Sequence, residues 1–198
     1  MFFWRVQFWL VRKHIKAYLI TDSKLYPTSP REFQNFYQRI LDSHQIDFAC
    51  YRDKQNVFNP NLLEVFLELN QYYKIPSLVN SNLAIALKFG FDGLHCNGMQ
   101  MQQIAEAKKK IPLVFYSAHS SEEILQADLE GANGITISPI FKTQNKGQPL
   151  GIDFLEKLNP KNYQAEIFAL GGIIGAKEVE AISKISIKNF ASIRYFLS

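Results

Sequence analysis

Along the chain, short apolar runs alternate with longer stretches in which apolar residues return every three or four positions. The first pattern reads as a buried strand and the second as an amphipathic helix. Residues 17–22 open the series, an apolar run ending in Thr21 and Asp22. After a turn through Pro27, Ser29 and Pro30, the spacing predicts a helix over 32–43, with Phe33, Phe36, Tyr37, Ile40 and Leu41 on one face. A strand at 47–51 follows. Asn59-Pro60 then opens a helix running to Tyr73, its proline in the first turn, where a missing N–H is harmless. A third strand, 76–80, precedes Asn82, a suitable cap for a helix that stops at Gly90. The pattern continues with strand 93–96, helix 100–110 and strand 112–117. The next helix starts at Ser121, with Glu122 and Glu123 near its positive end, and closes at Gly131. A β-branched sixth strand, Ile135-Thr136-Ile137, runs into a long polar loop that reaches Gly151. A short helix at 152–158, a strand at 167–170 running into Gly171-Gly172, a helix at 176–183 and an eighth strand at 189–193 complete the series.

Eight short strands, each but the last followed by a helix, predict a compact α/β chain forming a (β/α)8 TIM barrel. An open, doubly wound parallel sheet is the alternative, and strand count and spacing favour the barrel. No linker divides the chain, so residues 1–198 are expected to form one domain. The last helix of the barrel is missing, although a parallel barrel needs its outer face covered. Residues 1–15 form an N-terminal extension rich in Phe, Trp, Leu and Val, broken by Arg5, Gln7, Arg12 and Lys13. It is too short and too charged to span a bilayer. It is expected either to pack as a helix beside the uncovered gap or to remain an unstructured leader.

Composition narrows the function more by exclusion. Apolar residues make up 47% of the chain, enough for a sizeable core, and the net charge is +4. The one basic run, Lys108 to Lys110, closes a predicted helix, so nucleic acid and membrane are not expected partners. Cys50 and Cys96 fall in predicted core strands without metal or redox spacing, as suits reduced thiols in the cytoplasm.

Functional groups of such barrels gather where strands end. Those positions hold Thr21 and Asp22; Arg52, Asp53 and Lys54; Asn80, Ser81 and Asn82; His95 and Asn97; Ser117 and His119; Thr143, Asn145 and Lys146; Gly171 and Gly172; and Arg194. Cations beside hydroxyls and amides suit an anion, most simply a phosphate or diphosphate. The Gly171-Gly172 pair would let backbone N–H groups approach that anion. His95, inside a strand, reads as a satisfied core residue. There is no Gly-x-Ser-x-Gly elbow and no zinc spacing.

Taken in order, these residues resemble the thiamine phosphate synthase and thiazole tautomerase superfamily, over roughly residues 17–196. Tyr18-Leu19-Ile20-Thr21-Asp22 is similar to its opening strand, and Arg52-Asp53-Lys54 to its Arg-Glu-Lys. Asp92-Gly93-Leu94-His95 is similar to Asp-Gly-Val-His. Ser138-Pro139-Ile140-Phe141, followed by Thr143 and Lys146, resembles Gly-Pro-Ile-Phe and its Thr-rich loop. Ala169-Leu170-Gly171-Gly172-Ile173 is similar to Ala-Ile-Gly-Gly-Ile.

The resemblance implies an enzyme of thiamine biosynthesis, a transferase that joins hydroxymethylpyrimidine diphosphate to thiazole phosphate. It implies Arg52, Lys54 and Lys146 as the groups that neutralise the departing diphosphate, and Asn80 as a pyrimidine contact. Ser117 would touch the diphosphate. Thr143, Asn145, Gly171, Gly172 and Arg194 would form the rest of the substrate site. It also implies Mg2+, but the family's metal carboxylates fall at Ser81 and Gln100, which offer only neutral oxygens, so the metal site is expected to be weakened or lost. Cys50 replaces a pyrimidine-binding Gln. Pro139 stands where the tautomerase carries its catalytic His. Three activities stay open at this point: a divergent synthase, an isomerase with His119 as base, and a non-catalytic barrel that binds phosphate ligands. The oligomeric state is also open.

Overall fold

The computed structural model describes residues 15–55, 57–143 and 146–198. Residues 1–14, on which the expected packing of the N-terminal extension falls, lie outside them. Strands β1 (Ala17–Ile20), β2 (Phe48–Tyr51), β3 (Ser77–Asn80), β4 (Gly93–Cys96), β5 (Leu113–Ala118), β6 (Gly134–Ile137), β7 (Glu166–Leu170) and β8 (Asn189–Ser192) form one parallel sheet. Tyr18 pairs with Ala191, which joins β1 to β8 and closes the barrel, so the open-sheet alternative does not hold.

Helices fill the crossovers. They are α1 (Pro30–Ser43), α2 (Pro60–Tyr73), α3 (Leu83–Phe89), α4 (Ile104–Lys108), α5 (Ser121–Leu129), α6 (Ile152–Glu156) and α7 (Ala176–Ser183). Local chemistry sets their ends. The Asn59 side chain accepts the Asn61 N–H, and that of Asn82 accepts the Ile85 N–H, each satisfying an orphan donor of the first turn. α3 stops at Gly90, whose φ of 73° is left-handed. The 100–110 segment departs from expectation. It forms a 3-10 turn (Met101–Gln103) before α4, because i to i+3 bonds tie Gln100 to Asn97 and Gln103 to Gln100.

The period of two along each strand separates two apolar layers. Leu19, Ala49, Val79, Leu94, Val114, Ile135 and Ile167 face outward and pack under the helices. Tyr18, Cys50, Leu78, Phe115, Phe168 and Ala191 fill the barrel, with Phe48 against them. The aromatic rings meet mainly edge to face; Tyr18 and Phe115 have centroids 5.1 Å apart. Gly134 is part of this packing, since a β-carbon there would lie 2.6 Å from the Phe115 ring.

Among the described residues no α-helix follows β8. A 3-10 turn (Tyr195–Leu197) stands there, burying Phe196 in a stack with Phe190, the centroids 6.0 Å apart. Both Tyr195 and Phe196 also meet the His44 ring beyond the end of α1. The outer face of β8 is thus covered in part by residues that the sequence pattern did not single out.

Candidate active site

A cleft of about 320 Å3 opens where the strands end. Its floor is Ile20, Leu170 and Ile193, each two residues beyond an inward side chain (Tyr18, Phe168 and Ala191). The period of two along the strands places these three at the sequence level as well.

Arg52 and Lys54 reach the same cleft because β2 ends at Tyr51 and the backbone then turns. Asp53 organises that turn, its carboxylate accepting the N–H groups of Gln55, Val57 and Phe58. The Arg52 backbone N–H bonds Thr21 Oγ1, and its Nη1 meets Asp22 Oδ2 at 2.9 Å, so Arg52 is steered by β1 as well as by its own strand. Lys54 and Lys146 are exposed and have no ion pair among the described residues. Among the described residues no Asp or Glu lines the cleft. The site therefore carries uncompensated positive charge, as an anionic ligand requires.

Ser117 lies at the end of a buried hydrogen-bond chain. The Tyr18 hydroxyl meets His95 Nδ1 at 2.8 Å, and His95 Nε2 meets Ser117 Oγ at 2.8 Å. Burial, helped by the Arg52 charge, pushes the His95 pKa down to about 3, so the ring is neutral near pH 7. Burial likewise raises the Tyr18 pKa and keeps its proton. His95 is thus the satisfied core histidine that its strand position suggested, and it also orients a hydroxyl at the cleft.

His119 is exposed at the rim. Its Nδ1 lies 2.7 Å from the Ser138 carbonyl oxygen, which can only accept, so Nδ1 carries the proton. In the neutral ring this leaves the Nε2 lone pair free, beside Gly98.

Asn80 lines the cleft and its side-chain amide donates to the His95 carbonyl. Thr143 and Gly171 also line it; Asn145 lies outside the described residues. Gly172 and Arg194 are not among the lining residues, and Arg194 is exposed. The glycine pair has a packing cause: both residues have positive φ, 94° and 71°. A β-carbon on Gly171 would lie 2.9 Å from Pro139, and one on Gly172 2.7 Å from the Phe141–Lys142 backbone. Gly98, Ser138 and Pro139 belong to the lining, and the sequence reading had not proposed them as contacts.

The magnesium ion implied by the resemblance does not fit the residues at its positions. Ser81 and Gln100 offer neutral oxygens, and their polar atoms bond to one another's loops. Among the described residues no group of three or more His, Cys, Asp or Glu could hold a metal ion, and no helix is long and apolar enough to cross a membrane.

A family model described as thiamine monophosphate synthase matches residues 17–196. The putative thiamine-phosphate synthase 2 of Aquifex aeolicus is 35% identical over 189 residues, 92% of this chain and 97% of that protein. The thiamine-phosphate synthases of Lysinibacillus sphaericus and Prochlorococcus marinus are each 36% identical; the matches cover 54% and 72% of this chain but only 53% and 42% of theirs. Among solved structures, thiamine phosphate pyrophosphorylase from Pyrococcus furiosus superposes with a TM-score of 0.76, at 24% identity, over 92% of this chain and 87% of that one.

Proposed function

The chain belongs to the thiamine monophosphate synthase family, and from that premise we propose that it is a cytoplasmic transferase of thiamine biosynthesis. It joins hydroxymethylpyrimidine diphosphate to thiazole phosphate. The C–O bond to diphosphate breaks, its electron pair leaves with the diphosphate, and the thiazole nitrogen supplies the pair that forms the new C–N bond. The observation that carries this reading is the cleft itself, lined by Arg52, Lys54 and Lys146 over an apolar floor of Ile20, Leu170 and Ile193, with no carboxylate among the described lining residues.

The three cations stabilise the negative charge that develops on the leaving group, the kind of electrostatic work that dominates such reactions. Ser117 donates to the diphosphate. If Tyr18 donates to His95 Nδ1, then Nε2–H donates to Ser117 Oγ, and the serine proton is turned toward the ligand. Asn80 contacts the pyrimidine. Thr143 and the Gly171 backbone, both at the cleft, hold the thiazole phosphate. No step is assigned to a metal, because Ser81 and Gln100 do not form a metal site.

The free Nε2 of His119 favours one second reading, an isomerase-like proton transfer on a thiazole phosphate. Incubating the purified protein with both synthase substrates and following thiamine phosphate separates the readings. Product formation supports the transferase. No product, with thiazole phosphate still bound by calorimetry, rejects it in favour of a binding barrel. Consumption of an isomeric thiazole phosphate that is lost in His119→Ala selects the isomerase.

A further inference from the structure

We propose that the cleft takes its diphosphate group without a divalent cation, and that the side chains of Ser81, Asn97 and Gln100 form a hydrogen-bonded clasp where a metal would join the loops after β3 and β4. This rests on the reading of the cleft as a diphosphate site.

The backbone partners of Gln100 settle which way its amide points. Its Oε1 lies 3.0 Å from the Asn97 N–H, which can only donate. Its Nε2 lies 3.0 Å from the Ser81 carbonyl oxygen, which can only accept, and 3.0 Å from Gln103 Oε1. Both amide hydrogens are therefore used. Asn97 is held in the same way: Oδ1 accepts the Met99 N–H at 2.9 Å and Nδ2 donates to Ser81 Oγ at 3.0 Å. Ser81 completes the unit. Its backbone sits at φ 62°, a left-handed conformation disfavoured by its β-carbon, and its N–H is tied to the His95 carbonyl.

A hard cation needs several oxygen lone pairs converging on one point. Here N–H donors point at those oxygens, so the loops are cross-linked by the bonds that exclude the ion. The charge a divalent ion would bring is available from the protein. Lys54 and Lys146 carry two positive charges at the cleft with no ion pair among the described residues, and lysine binds phosphate as a point charge. Arg52 adds a third, shared with Asp22.

Calorimetric titration of the full chain with inorganic diphosphate tests this, once in EDTA and once in excess Mg2+, with free diphosphate corrected for its magnesium complex. The expected result is a Kd that agrees within about threefold between the two conditions. Binding that appears only with Mg2+, or tightens more than about tenfold, overturns the inference and leaves the diphosphate reading standing. No binding in either condition overturns both. Gln100→Glu supplies a second arm, because it places a carboxylate oxygen against the Ser81 carbonyl. Its melting temperature should fall in EDTA and recover in Mg2+, while the unsubstituted protein does not respond. A variant with unchanged melting temperature and no magnesium response overturns the clasp.

Discussion

The two ends of the barrel treat charge in opposite ways. At the end where strands begin, Lys16 pairs with Glu166, lies over the Phe48 ring and takes Asn189 as a backbone partner. Asn189 reaches Glu166 in turn, and Asp47 accepts the Ala17 N–H. The Lys16 charge is thus answered within the protein. At the end where strands finish, Lys54 and Lys146 face a cleft that has no carboxylate among its described lining residues. Between them lies the aromatic layer with neutral His95. One end closes the fold, and the other leaves its charge to be answered from outside.

The contrast is broken most directly at the open end. Replacing Lys54 and Lys146 together by Ala should weaken inorganic diphosphate binding by about a hundredfold or more, since each charge-assisted contact contributes roughly 1.5–3 kcal/mol. The urea midpoint should stay within error of the parent. A loss of stability comparable to the loss of binding would mean that these lysines belong to the fold.

His95 comes next. Its folded pKa, about 3, lies below the ordinary value of 6.5, so between these values the unfolded chain binds the extra proton. Stability therefore falls as pH drops below about 6.5, by up to about 1.4 kcal/mol per pH unit from this residue. Urea unfolding at pH 7 and pH 5 measures the slope, and His95→Gln should flatten it. An unchanged slope would assign the acid sensitivity elsewhere.

Gly134→Ala addresses the layer that separates the two ends. The new methyl group meets the Phe115 ring and should cost about 1–3 kcal/mol in overpacking. The smallest effect is expected at the closed end. Lys16→Ala should lower stability by no more than about 1 kcal/mol, because both partners of its ion pair remain partly exposed. Diphosphate binding should not change; a change in affinity would show that the two ends are coupled.

Much of this organisation could be read from local pattern. The Asn82 cap, the Gly90 stop and the inward positions of the strands each rest on neighbours within a few residues, so the barrel follows from spacing. Arg52, Lys54, Asn80, Ser117, Thr143, Lys146 and Gly171 could be nominated because strand ends are where a barrel places its chemistry, and all of them line the cleft. What escaped depends on contacts between distant segments. The Tyr18–His95–Ser117 chain crosses β1, β4 and β5, and no window of sequence contains it. The Ser81–Asn97–Gln100 unit joins two loops, and it also tightens the start of the segment expected to be one helix. Gly171-Gly172 looked like an opening for an anion, while its nearest neighbours are the backbone of Pro139 to Lys142.

That last contact bears on how a ligand would be received. The Ile140 N–H bonds the Leu170 carbonyl at 2.9 Å and the Phe141 N–H bonds the Gly171 carbonyl at 3.0 Å. The loops after β6 and β7 are thereby sewn together by main chain, in addition to the glycine contacts. Residues 139–142 and 170–172 form a single preorganised wall, whose conformational entropy is already lost when the protein folds. A phosphate bridging Thr143 and the Gly171 backbone would meet that wall in place, without the ordering cost of drawing two independent loops together.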